Sequence, residues 1–147
     1  MNKAQMISLV LIAAFRGLIM PMELGISKYP YLIKDVCISD KLAFVISGRH
    51  GLRIIDILNP RSPKEVGHFD SGAKSQAVSI SSNLACVAQG SEGLDVLDIQ
   101  DPSQPELLNT YYSVTEITGV AVTGNLAYIT DHWERIASSG YFNALFN

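Results

Sequence analysis

Apolar residues along this chain gather in runs of about five positions, rich in β-branched and aromatic side chains and too short for helices. The first four runs are Asp35 to Ser39, Leu42 to Ser47, Leu52 to Ile57 and Lys64 to Asp70. The next four are Ala77 to Ser81, Leu84 to Gln89, Leu94 to Ile99 and Glu106 to Tyr112. Between them stand Asp40-Lys41 and Ser82-Asn83, the glycines Gly48, Gly51, Gly90 and Gly93, and the pairs Asn59-Pro60 and Asp101-Pro102. All are residues that reverse a chain readily, so the pattern predicts antiparallel strands. Runs such as LAFVI and LACVA are apolar on both faces of the pleat, which requires a sheet covered on both sides.

The runs repeat. Residues 36–77 align on 78–119 without a gap, matching Val36, Ile38, Leu42, Ala43, Val45 and Gly48 to Val78, Ile80, Leu84, Ala85, Val87 and Gly90. Gly51, Leu52, Asp56, Ile57, Pro60 and Pro63 likewise meet Gly93, Leu94, Asp98, Ile99, Pro102 and Pro105. A third copy opens with Val120, Val122, Leu126, Ala127 and Ile129. Then Arg135 stands where glycine is due, and the tail has neither the aspartate nor the prolines. Upstream, Pro21, Glu23 and Gly25 precede Pro63, Glu65 and Gly67 by the same 42 positions. The expected organisation is a partial unit at 21–35, full units at 36–77 and 78–119, a partial unit at 120–134 and an off-register tail at 135–147.

Four antiparallel strands in 42 residues make a blade, and radial stacking of such sheets is the β-propeller solution at a period of about 40 to 45 residues. The chain is therefore expected to be all-β, an incomplete propeller of two full blades plus partial ones. A β-sandwich would alternate apolar and polar residues more cleanly and has no reason to keep a gap-free period.

The segments GLRIIDILNPRSP and GLDVLDIQDPSQP, preceded by LAFV and LACV, resemble the LVIVD repeat of bacterial and archaeal β-propeller proteins over residues 21–134. The resemblance implies an extracellular or surface-associated propeller and brings no catalytic residues with it.

Residues 6–20 add a compartment. An apolar stretch from Met6 to Phe15, preceded by Lys3 and followed by Arg16, reads as an export signal or membrane anchor, placing the chain outside the cytoplasm or at the cell surface. Read instead as a strand of a preceding unit, it would leave the protein cytoplasmic. The formal net charge of −3 argues against a nucleic-acid partner, which calls for a clustered basic face. No Lys or Arg lies between Ser75 and Glu134, so the second unit is acidic and the first net positive. Cys37 and Cys86 occupy non-equivalent positions and form no metal-ligand spacing with His50, His68 or His132. Cys86 takes an apolar packing slot held by Phe44 and Tyr128 in the other copies.

Asp56 and Asp98 recur in every full copy, which points to a structural carboxylate accepting hydrogen bonds from turn amides rather than to catalysis. Gly51, Pro60 and Pro63, with Gly93, Pro102 and Pro105, are read as repeat structure on the same ground. Candidate binding residues are those where the copies disagree: Arg49, His50 and Arg53 in the first, Glu92 and Asp95 in the second, His132 and Trp133 in the third. They would share one rim as a mixed-charge surface with one exposed aromatic; ordinary solvated turns are the alternative. Arg53 and Asp95 reverse charge at equivalent positions and are expected to attract across neighbouring blades.

No nucleophile elbow, zincin helix, phosphate loop or Cys-x-x-Cys pair is present, so neither a cofactor nor a metal is expected. The reading is a non-enzymatic binding module. The alternatives are a fragment of a larger propeller without a function of its own and, less favoured, part of a propeller enzyme. An open stack exposes apolar faces, so a protein partner or a second copy is expected to cover them.

Overall fold

The computed structural model describes residues 33–59, 61–113, 116–124, 126–131 and 136–137. The expectations for residues 1–20 and most of the partial unit at 21–35 lie outside them. Strands β1 (Asp35–Ser39), β2 (Leu42–Ile46), β3 (Leu52–Asp56) and β4 (Lys64–Phe69) form one antiparallel sheet in chain order. Strands β5 (Ala77–Ser81), β6 (Leu84–Ala88), β7 (Leu94–Asp98) and β8 (Glu106–Tyr111) form a second. Strands β9 (Ile117–Thr123), β10 (Leu126–Asp131) and β11 (Ile136–Ala137) form a third. There is no α-helix among the described residues.

The two full sheets match in register throughout. Cys37 faces Phe44 and Phe44 faces Ile54, as Ser79 faces Cys86 and Cys86 faces Val96. Each has a bulge between its third and fourth strands, after Ile54 in one and Val96 in the other. The tight turn joining the first two strands of each sheet begins on a left-handed residue, Asp40 (φ 52°), Ser82 (φ 51°) or Gly124 (φ 53°), the geometry that a right-twisted two-residue hairpin demands. Glycine is compulsory at the start of the third strand: a Cβ on Gly51 would lie 2.1 Å from the Phe69 carbonyl oxygen, and one on Gly93 2.1 Å from that of Tyr111. Both also have positive φ.

The sheets stack in chain order, with the leading strands β1, β5 and β9 adjacent. Phe44, Ile46, Leu52 and Ile54 of the first sheet pack with Val78, Ala85, Val87, Leu97 and Ile99 of the second. Cys86, Ala88, Leu94 and Val96 then pack with Ile117 and Ala127 of the third. This is why β6 and β7, which lie between two sheets, are largely apolar on both faces; the other face of the first sheet gathers Ala43, Val45 and Ile55 with Ile33, Val36 and Ile57. The unpaired edges of β5 and β9 are tied by side chains of the preceding blade: Val78 N–H donates to Asp35 Oδ2 (3.1 Å) and Val122 N–H to Ser79 Oγ (3.0 Å). The described sheets do not close on one another, so the architecture is an incomplete propeller.

Two boundaries move. The cut between full copies at 77/78 falls inside β5, and 78–119 runs into β9; the physical units end in the linkers before Ala77 and Ile117. The off-register reading of 135–147 also gives way at its start. Ala137 pairs with Ile129 and Ile136 with Thr130, the register of Arg53 on Val45 and Leu52 on Ile46. A backbone ladder needs no glycine at Arg135 to continue.

Candidate functional site

The repeated turns between second and third strands share one frame of backbone hydrogen bonds. Ser47 N–H donates to Gly51 O and His50 N–H to Ser47 O in the first blade; Gln89 N–H donates to Gly93 O and Glu92 N–H to Gln89 O in the second. Gly48 and Gly90 carry positive φ. Each turn is fastened to the following blade, by Ser75 N–H on Gly48 O (3.1 Å) and Ile117 N–H on Gly90 O (2.9 Å). Two platforms with the same hydrogen-bond frame result, one wound as a 3-10 turn over Gly48–His50, and their side chains differ. Arg49 is exposed and His50 half-buried on one, while Ser91 and Glu92 are exposed on the other.

Arg53 and Asp95 do not belong to this rim. They lie within β3 and β7 and are buried, at 7% and 3% exposure. Each has partners inside its own blade. Arg53 Nη1 donates to Glu65 Oε1 (3.2 Å), with His68 Nδ1 3.6 Å from the same oxygen. Asp95 accepts from Gln89 Nε2 at Oδ2 (2.8 Å) and from the Thr110 hydroxyl at Oδ1 (2.7 Å). Gln89 in turn accepts from the Ser75 hydroxyl (2.7 Å). This chain of four polar side chains, buried at Ser75, Gln89 and Asp95, underpins the second turn and pins it to the linker. The first blade has Ser47 in place of Gln89, and its buried hydroxyl finds no hydrogen-bond partner among the described residues.

Gln89 and Ser75 were not among the residues singled out from sequence, although both differ between copies: Ser47 replaces one, Ile33 and Ile117 the other. His132 and Trp133 lie outside the described residues.

Asp56 and Asp98 do the work expected of them. Asp56 Oδ1 accepts from Leu58 N–H (2.8 Å) and Asp98 Oδ1 from Gln100 N–H (2.7 Å), fixing the exit from the third strand. Beyond it, Asp101 accepts from both the amide and the hydroxyl of Ser103, which hold its carboxyl below the ordinary range. Cys86 is a buried thiol whose pKa is pushed up to about 11 by desolvation. A cavity of about 290 Å³ lies between the second and third sheets, lined by Leu94, Thr110, Tyr111, Tyr112, Ile117 and Ile129 among others. No cluster of three or more metal-ligating side chains occurs among the described residues.

Four-stranded sheets of matched register, stacked through their leading strands, define a β-propeller repeat protein. The LVIVD repeat profile matches residues 33–71, 72–113 and 117–137, and the chain belongs to the LVIVD repeat family. Among solved structures it is similar to the computationally designed Ika4 protein, with a TM-score of 0.55 and 15% identity over 66% of this chain and 58% of that one. It is similar also to the computationally designed Ika8 protein, with a TM-score of 0.55 and 15% identity over 65% of this chain and 29% of that one. At such identity the likeness is one of fold, and this chain spans 58% and 29% of the two designed proteins. No curated protein matches it.

Proposed function

We propose that this protein is a non-enzymatic binding module that works outside the cytoplasm and engages a protein partner through the rim turns of successive blades. The observation that carries the reading is the pair of equivalently hydrogen-bonded turns at 47–51 and 89–93. Their backbone hydrogen bonds are the same and they are fastened alike to the next blade, yet one offers Arg49 and His50 and the other Ser91 and Glu92. A scaffold that holds its turns rigid while varying their side chains suits recognition, since ordering costs are met before the partner arrives. The mixed charge favours a partner surface of mixed charge, whose rim contacts would set association rate more than lifetime. Extracytoplasmic placement rests on the apolar stretch at 6–20.

The test compares the full chain with an Arg49→Glu/Glu92→Lys double variant as baits against the extracytoplasmic fraction of the producing cell. The expected result is a partner retained by the wild type and lost by the variant at equal fold content by circular dichroism. Identical captured proteins for both baits would remove the rim from consideration.

A further inference from the structure

The second and third sheets meet around the cavity of about 290 Å³, and this junction departs in its residues from the one before it. In the second sheet Val87 pairs with Asp95 on the face turned to the first sheet, and Asp95, Gln89 and Ser75 are joined there by hydrogen bonds. In the third sheet the register is kept and the residues change. Ile129 takes the place of Val87 and pairs with Ala137, which takes the place of Asp95; Asp131 replaces Gln89 and Ile117 replaces Ser75. With alanine for aspartate and isoleucine for serine, the polar chain of the earlier junction cannot be rebuilt from these positions. Ile117 and Ile129 line the cavity instead.

The remaining walls fix the chemistry of what fits. Leu94 and Ile117 are buried, and the rings of Tyr111 and Tyr112 complete the lining. Tyr112 is 85% exposed, so the cavity opens to solvent beside that residue. No lining residue is an Asp, Glu, Lys, Arg or His, and the polar side chains among them are hydroxyls. A charged ligand would lose its hydration here with nothing to pair it. An aromatic ring can instead pack edge or face against tyrosine and bury its apolar surface on the leucine and isoleucines. The volume is about twice the ~150 Å³ of an apolar cavity that accepts a single benzene ring, which suits a pair of fused rings.

We propose that the cavity between the second and third sheets is a binding site for a small, neutral aromatic molecule of fused-ring size, with Leu94, Tyr111, Ile117 and Ile129 as its walls. This goes beyond the binding reading and holds or fails independently of it, because the rim turns would engage a protein whereas this site takes a small molecule between two sheets.

The experiment titrates indole into the full chain by isothermal calorimetry, with an indole carboxylate as the charged counterpart. Indole is expected to bind saturably at one molecule per chain, and the carboxylate to bind weaker by about tenfold or more, since it finds no cation. Ile129→Trp, which fills the cavity with its own side chain, should weaken indole by about tenfold or more at unchanged circular dichroism. The edge variant Leu107→Lys/Leu108→Lys should bind as the wild type does. Absence of saturable binding, equal binding of the two probes, or binding lost in the edge variant and kept in Ile129→Trp would each overturn the proposal. Should Ile129→Trp fail to fold, the wild-type chain decides: nuclear Overhauser effects from indole to the Ile117 and Ile129 methyls support the site, and effects confined to other methyls, those of Leu107 and Leu108 among them, overturn it.

Discussion

Gln89 and Asp95 meet amide to carboxylate across 2.8 Å, with side chains in residues only 2% and 3% exposed, and each has its other polar atoms engaged by Ser75 and Thr110. A buried polar chain is stabilising only while complete, because an orphaned member keeps its desolvation cost. Gln89→Leu should therefore destabilise the chain by about 2 to 4 kcal/mol, having stranded both Ser75 Oγ and one carboxylate oxygen. Removing the partner as well, in Gln89→Leu/Asp95→Leu, should recover part of that loss. Urea unfolding of the two singles and the double provides the cycle, and additive effects would show that the chain is not coupled.

Asp56 and Asp98 make the same bond in the same place, so Asp56→Ala and Asp98→Ala should cost similar amounts, about 1 kcal/mol each for one lost turn hydrogen bond. Asparagine at either site keeps an acceptor oxygen and should restore most of the stability. Midpoints of chemical unfolding for the four variants decide the matter; a large inequality between the alanine variants would mean that the blades are not mechanically equivalent.

The Cys86 thiol gives an alkaline signature. Its pKa is raised from 9.0 to about 11 because burial disfavours the thiolate. The folded state therefore holds this proton more firmly than the unfolded state. The contribution is intact below pH 9 and is lost as pH rises from 9 towards 11, on the order of 2 kcal/mol in all. Cys86→Val should flatten that decline. At pH 8, alkylation of the native protein should mark the half-buried Cys37 and spare Cys86 until denaturant is added.

Strand β8 is the outer edge of its sheet and shows Leu107 (48%) and Leu108 (56%) to solvent, with Tyr112 (85%) just beyond it. An apolar edge strand templates association. The purified chain should elute larger than 16.0 kDa at micromolar concentration and bind a hydrophobic dye. Leu107→Lys/Leu108→Lys should shift it towards the monomer, as read by light scattering, whereas a dye-silent wild-type monomer would contradict the expectation.

Most of the blade could be read from the chain itself because turn chemistry and apolar slots coincide between copies. Eight strands were placed to within a residue, and the role of Asp56 and Asp98 followed from their recurrence. What sequence could not separate was rim from strand. Arg53 and Asp95 look like variable turn residues because they follow a glycine closely, yet the ladder has already begun at Leu52 and Leu94 and takes them inside. Their partners Glu65, Gln89 and Thr110 lie six to fifteen positions away and are brought together by pairing between strands. Position 135 misled for the opposite reason: a missing glycine ends a motif, but two more ladder pairs form regardless.

The bonds from Ser75 to Gly48 and from Ile117 to Gly90 leave one period and enter the next at the same atoms. Removal of one whole period therefore preserves the junction. Excising 42 residues from within the array would bring Val120 opposite Asp35 in the place of Val78, with every pleat still facing its old side. Excising 41, with the missing residue taken from within a strand, would turn the rest of that strand to the opposite side of the sheet. An array joined in this way can be lengthened or shortened by whole blades with each junction unchanged, so the number of blades and the side chains on the rim are set independently of one another.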